Sequence, residues 1–179
     1  MLTGFMGSGK SKLGPILARR SGRPFRDLDA TIEESEHASI QEIFSRFGEP
    51  HFREVERREL GLLLDSPEPA VISLGGGAFI PDENRTLVAA AGFSVWLDVP
   101  TGILASRLSR KAHRPLLLAE DGTMPQGDAL REKVERLLEA RRPAYGKADL
   151  TFEVRGSETP HANARRLHHE LAERGLVPA

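Results

Sequence analysis

With 179 residues, a formal net charge of −1 and no cysteine, the chain is long enough to bury a full core as one domain over 1–179. It needs neither disulfides nor a thiolate-bound metal to hold it together. Its 25 basic and 26 acidic side chains nearly balance and form no long run of either sign, which argues against a nucleic-acid groove. No stretch has the length of a membrane span and no charged segment leads into an apolar one at the start, so the expectation is a cytoplasmic protein without a membrane partner.

Met1-Leu2-Thr3 reads as the tail of a strand that runs into Gly4-Phe5-Met6-Gly7-Ser8-Gly9-Lys10-Ser11, which satisfies G-x-x-x-x-G-K-[ST] at every fixed position. That pattern makes a phosphate cradle. Its glycines let successive backbone N–H groups turn inward around a polyphosphate, Lys10 reaches the β- and γ-phosphates, and Ser11 sets its hydroxyl on a magnesium ion. Apolar residues at helical spacing over 12–20 supply the helix that must follow.

Gly22-Arg23-Pro24 ends that helix, and 25–29 reads as a short strand finishing in two acids, Asp27 and Asp29. Thr31 with Glu34 and Ser39 with Glu42 each fit a capping box, so two helices are expected to begin there. Ile40, Ile43, Phe44 and Phe47 share a face that Gly48 closes, and 50–65 forms a further helix. The continuous apolar run 70–74 suits a strand buried on both faces of a parallel sheet, and it leads into Gly75-Gly76-Gly77. Helix over 82–91, strand over 93–99 and helix over 101–110 follow. From 111 to 127 periodicity fails, and this segment reads as a mobile loop. Helix over 128–142, strand over 150–154 and helix over 160–174 complete an α/β chain with a parallel sheet.

In such sheets ligands gather at the carboxyl ends of the strands. Four groups fall there: the cradle, the Asp27/Asp29 pair, the glycine triplet and the loop carrying Arg114. Two acids one residue apart on an extended segment point the same way, one toward magnesium through water and the other toward an acceptor hydroxyl. Arg53 and Glu56, three apart on a helix, read first as a surface ion pair, although an arginine steadied by a glutamate also suits a carboxylate ligand. Arg141 falls seven after Val134 and four after Leu137, on a stripe shared with Leu130 and Leu138, where a core leucine belongs. An arginine on a buried face calls for an anionic partner.

The cradle through Gly14, the Asp27-Leu28-Asp29 step, Ser39-Ile40-x-Glu42-Ile43-Phe44, Gly48-Glu49 with Phe52-Arg53 and Glu56, Leu74-Gly75-Gly76-Gly77, Arg114-Pro115-Leu116-Leu117 and Arg141-x-Pro143-x-Tyr145 together resemble shikimate kinase, in order and over nearly the whole chain. The resemblance implies a three-layer P-loop kinase fold with a five-stranded parallel sheet of order 2-3-1-4-5, helices on both faces, substrate-binding helices over about 31–65 and a mobile lid over about 111–127. It implies transfer of the ATP γ-phosphoryl group to the 3-hydroxyl of shikimate, with ATP and Mg2+, by a monomer. Gly7, Ser8, Gly9, Lys10, Ser11 and Lys12 would then hold the nucleotide phosphates, and Ser11 and Asp27, with Ser73, the metal and its waters. Asp29 would take shikimate's hydroxyls, Arg53 and Arg141 its carboxylate, and Gly75, Gly76 and Gly77 would line its ring. Arg114 would close over the phosphates from the lid, so that Lys10, Asp29 and Arg114 form the catalytic set, and Arg107 would flank adenine.

Three features depart from the resemblance. Lys12 stands where the family usually carries threonine, the loop after Arg114 is longer, and only three residues precede Gly4 where a strand averages about five or six. Since the implied order puts that strand at the sheet's centre, further residues rich in Val, Ile or Leu are expected upstream of Met1, in a protein that melts several degrees higher. Two other functions share the cradle: a catalytically inactive nucleotide-binding module, and a related small-molecule kinase such as one for gluconate. The intact set of Lys10, Ser11, Asp27, Asp29, Arg53, Arg114 and Arg141 disfavours the first, and the arginines with the glycine triplet disfavour the second.

Overall fold

The computed structural model describes residues 1–110, 115–118 and 123–178. Its elements, in chain order, are β1 (Leu2–Thr3), α1 (Lys10–Arg20), β2 (Phe25–Asp27), α2 (Leu28–Ser35), α3 (Ile40–Leu64), β3 (Val71–Ser73), α4 (Asp82–Ala91), β4 (Val95–Asp98), α5 (Thr101–Leu108), α6 (Gly127–Glu139), α7 (Arg142–Tyr145), β5 (Leu150–Glu153) and α8 (Pro160–Glu173), with a 3-10 turn at Pro115–Leu117. The strands form one parallel sheet of order β2-β3-β1-β4-β5 with helices on both faces.

Burial explains the order. Val71, Ile72 and Ser73 of β3 and Val95, Trp96 and Leu97 of β4 are buried without alternation, as central parallel strands must be, whereas β5 alternates buried Leu150 and Phe152 with exposed Thr151 and Glu153, the pattern of an edge. β1 registers Leu2 against Ser73 on one side and against Val95 on the other. The carboxyl ends of β1, β2 and β3 therefore lie together, and the segments that leave them share one rim of the sheet.

The structure corrects the sequence reading in several places. β2 stops at Asp27, because that residue caps α2 by accepting from the Asp29 amide at 3.1 Å, so the helix begins at Leu28 rather than Thr31. Thr31 makes no capping box; its hydroxyl donates back to the Asp27 carbonyl. The Ser39–Glu42 capping box does form, at the head of α3. Gly48, at φ 79° and ψ 176°, breaks the helical path within α3, after which Pro50 opens the second stretch. Phe47 stays largely exposed instead of joining the apolar face. α1 begins at Lys10, two residues early, because Gly9 in a left-handed conformation turns the cradle directly into the helix. α6 ends at Glu139, which leaves Arg141 at the junction with α7 instead of on a continuous buried stripe.

Of the loop over 111–127, residues 111–114, with Arg114, and 119–122 lie outside the described residues. The part between them contacts the rest of the chain. Leu117 is fully buried, and the Lys133 ammonium donates to the Leu118 carbonyl.

Candidate active site

Lys10 is buried, and its Nζ donates to the Gly4 carbonyl at 2.7 Å, to the Phe5 carbonyl at 3.3 Å and to Ser8 Oγ at 3.5 Å. The ammonium thus lies inside the loop, against oxygens of the loop itself. Gly7 and Gly9 carry φ of 81° and 102°, values that let the loop curl around its own amides. Ser8 N–H closes the turn on the Phe5 carbonyl at 3.1 Å. Lys12 is exposed on the first turn of α1, beside the cradle.

Ser11 Oγ donates to Asp27 Oδ2 at 3.1 Å, while Asp27 Oδ1 accepts the Asp29 amide. One carboxylate therefore joins α1 to the start of α2, and the two acids meet across a helix cap rather than along a strand. Asp27 and Ser73 are register partners on β2 and β3. A hydroxyl and a carboxylate beside a phosphate cradle are hard oxygen donors, the set that fits Mg2+ with water and phosphate completing its shell.

Asp29 lies against the glycine triplet: a Cβ on Gly75 would fall 2.5 Å from Asp29 Oδ1 and 3.4 Å from Glu56 Oε1. On the next turn Arg53 packs over Gly77, where a Cβ would come within 2.7 Å of its Nη1. Side chains at 75 and 77 would fill the space that the acid and the arginine use. Arg53 Nη1 donates to Glu56 at 2.8 Å, and its other edge, Nε and Nη2, grips Glu49 Oε1 at 3.2 and 2.8 Å. Glu56 is 1% exposed, so this is no surface pair. Burial pushes its carboxyl pKa up, against the pull of Arg53, and neighbouring Asp29 adds to the rise. Burial lowers Arg53, but Glu56 and Glu49 outweigh it and leave its pKa above the ordinary arginine value.

Arg141, half-buried, donates from Nη1 to the Gly76 carbonyl at 3.2 Å and sits over the Phe5 ring at 5.5 Å. The buried Tyr145 hydroxyl donates to the same carbonyl at 2.6 Å. The structure thus brings Asp29, Arg53, Gly75, Gly76, Gly77 and Arg141 together beside the cradle residues Gly7 to Ser11. Arg107 lies on the cradle's flank, bonded to its backbone.

The sequence reading gave no role to Glu49, whose spacing of four from Arg53 was the available signal, nor to Tyr145. It also passed over Asn84 and Arg85 at the start of α4, which hold the Ala78 and Phe79 carbonyls at 2.9 and 2.8 Å and so fix the turn after the triplet.

A family profile described as shikimate kinase matches residues 6–172. A shikimate kinase of Caulobacter vibrioides is 44% identical over 161 residues, covering 90% of this chain and 75% of that protein. The structure of an Acinetobacter baumannii shikimate kinase in complex with shikimate superposes with a TM-score of 0.86 at 32% identity, covering 98% of this chain and 93% of the other. A gluconokinase from Sinorhizobium meliloti aligns over 97% of this chain and 94% of its own, at a TM-score of 0.54 and 22% identity, a likeness of fold alone.

Proposed function

The chain belongs to the shikimate kinase family, and on that premise we propose that it transfers the γ-phosphoryl group of ATP to the 3-hydroxyl of shikimate, giving shikimate 3-phosphate and ADP. The observation that carries the proposal is the convergence of Asp29, Arg53 and Arg141 on the glycine triplet beside the phosphate cradle. Two guanidinium forks and a carboxylate around a small space suit a polyhydroxylated acid, and gluconate lacks the rigid ring that the triplet would line.

In this reading the nucleotide phosphates enter the cradle, and Lys10 exchanges the loop carbonyls for β- and γ-phosphate oxygens. Ser11 and Asp27, with Ser73 acting through water, hold Mg2+, which offsets negative charge on the phosphates when bound. Arg53 and Arg141 fix the acceptor's carboxylate. Asp29 accepts hydrogen bonds from its hydroxyls and takes the proton of the attacking 3-hydroxyl as the new P–O bond forms. Arg114 supplies a further cation from the lid over 111–127, and Lys12 and Arg107 complete the nucleotide's contacts. Phosphoryl transfer asks chiefly for alignment and charge stabilisation, which is what these residues offer.

The proposed acting unit is the monomer. No described helix is long and apolar enough to cross a membrane, in keeping with work in the cytoplasm. The test is ADP release, coupled to a reporter, with shikimate, gluconate and nucleoside monophosphates offered at equal concentration. Shikimate is expected to dominate by orders of magnitude. Turnover of another acceptor in its place would overturn the assignment, and ATP binding with no turnover at all would leave a nucleotide-binding module.

A further inference from the structure

The last turn of α5 lies against the back of the phosphate cradle. A Cβ on Gly7 would meet Leu108 at 3.3 Å and Leu104 at 3.8 Å, and one on Gly9 would lie 3.8 Å from Arg107 Nη1. From there Arg107 Nη1 donates to the Gly7 carbonyl at 3.0 Å and to the Ser8 carbonyl at 3.3 Å. Among the described residues no carboxylate pairs with this guanidinium, and burial holds its pKa below the ordinary arginine value. A half-buried cation spent on two consecutive peptide oxygens is costly unless those oxygens matter.

Their importance follows from peptide geometry. In a planar trans peptide the C=O and the following N–H point in opposite directions. A cation that draws the Ser8 carbonyl toward α5 therefore sends the Gly9 N–H the other way. The peptide of Gly7 is locked from both ends, its oxygen on Arg107 and its Ser8 N–H on the Phe5 carbonyl. The same pull polarises both amides, which strengthens them as anion donors.

We propose that Arg107 is a positioning residue for the phosphate cradle, fixing the loop in its phosphate-receiving shape before any nucleotide arrives. This differs from the adenine contact implied by the family resemblance, because it acts on phosphates with no base present. The inference rests on the cradle's taking nucleotide phosphates, and its test needs no shikimate, so its failure and a failure of the proposed acceptor are separate results.

The probe is inorganic tripolyphosphate with Mg2+, which carries the phosphates without the base. It is titrated calorimetrically, beside Mg·ATP, into the wild type, Arg107→Met, which keeps the apolar stem, and Arg107→Lys. Circular dichroism confirms that the variants are folded, and hydrogen exchange at the Ser8 amide, without ligand, reads the loop directly. Arg107→Met is expected to weaken tripolyphosphate and ATP by a similar factor, about ten-fold, and to speed exchange at Ser8. Arg107→Lys should restore part of both, with KM for shikimate unchanged in either variant. Weakened ATP with unchanged tripolyphosphate would reduce Arg107 to a base contact, and unchanged exchange at Ser8 would show that it does not hold the loop. Either result overturns the proposal, and a wild type that fails to bind tripolyphosphate overturns the cradle itself.

Discussion

Lys10 shows how a single residue can be poised without being strained. Its ammonium rests on the Gly4 and Phe5 carbonyls, and a phosphate adds to such bonds the Coulomb attraction of a full opposite charge. Lys10→Ala should therefore lower kcat by at least about a hundred-fold while circular dichroism shows an unchanged fold; near-wild-type turnover would remove Lys10 from the mechanism. Arg53 and Arg141 differ in kind. Arg141 donates to Gly76 and lies beside the Tyr145 hydroxyl, so Arg141→Lys, which cannot reproduce the planar grip, should raise KM for shikimate about ten-fold and leave ATP affinity, read by calorimetry, as it was. Arg53 already gives three of its five N–H groups to Glu49 and Glu56, and in the proposed reading Glu49 competes with the substrate carboxylate for the same guanidinium. That contact is exposed on the Glu49 side and of modest strength, so Glu49→Gln should lower KM for shikimate by roughly two- to five-fold, the span of an exposed ion pair. A rise in KM would mean that Glu49 orients Arg53 instead of competing for it.

At the scale of elements, α3 turns on Gly48, whose φ of 79° with ψ of 176° lies in a region essentially closed to other residues. This break redirects the chain so that the second stretch lays Arg53 and Glu56 against the glycine triplet. Gly48→Ala should destabilise the protein by about 1–3 kcal/mol in chemical denaturation and raise KM for shikimate without touching ATP, because α1 and the cradle do not depend on this turn; equal damage to both ligands would refute that separation. The same helix marks where sequence suffices. Its start was legible because Ser39 and Glu42 sit three apart and make both bonds of the box, and the strands of the sheet's interior were legible because their apolar runs do not alternate. Asp27 and Asp29 stood out as candidate site residues, yet their geometry was misjudged. A strand end and a helix cap both put acids there, and only the backbone decides between them. Arg141 likewise was singled out for a reason that does not hold: its periodicity assumed a helix that ends at Glu139, whereas the Gly76 carbonyl, distant in sequence, is what meets its side chain.

Across the whole molecule, stability and site share the β4–β5 half of the sheet. The Asp149 carboxylate, just before β5, accepts from both Ser94 N–H and Ser94 Oγ at 2.8 and 2.6 Å, while Ser94 Oγ accepts from the Asp149 amide, which pins the start of β5 against β4. Burial pushes the Asp149 pKa up, but the bonds from Ser94 overcome it and leave the pKa below the usual carboxylate value. The unfolded chain therefore takes the proton first as pH falls, so this contribution is complete above about pH 4 and drains away below it. Asp149→Asn should be less stable than the wild type at pH 7, with the gap closing toward pH 3 in denaturation series; a gap that does not change with pH would contradict the shift. The neighbouring strand carries a second link to the site. The chain has one tryptophan and one tyrosine, and they stack on each other, Trp96 on Tyr145 with ring centroids 5.8 Å apart, while the Tyr145 hydroxyl grips the Gly76 carbonyl. A lone indole is thereby wired through one ring and one hydrogen bond to the wall where the acceptor is proposed to sit. Its ultraviolet emission should shift as shikimate is titrated, a built-in optical gauge of occupancy that needs no label, and Tyr145→Phe, which cuts the hydrogen bond but keeps the stack, should mute it.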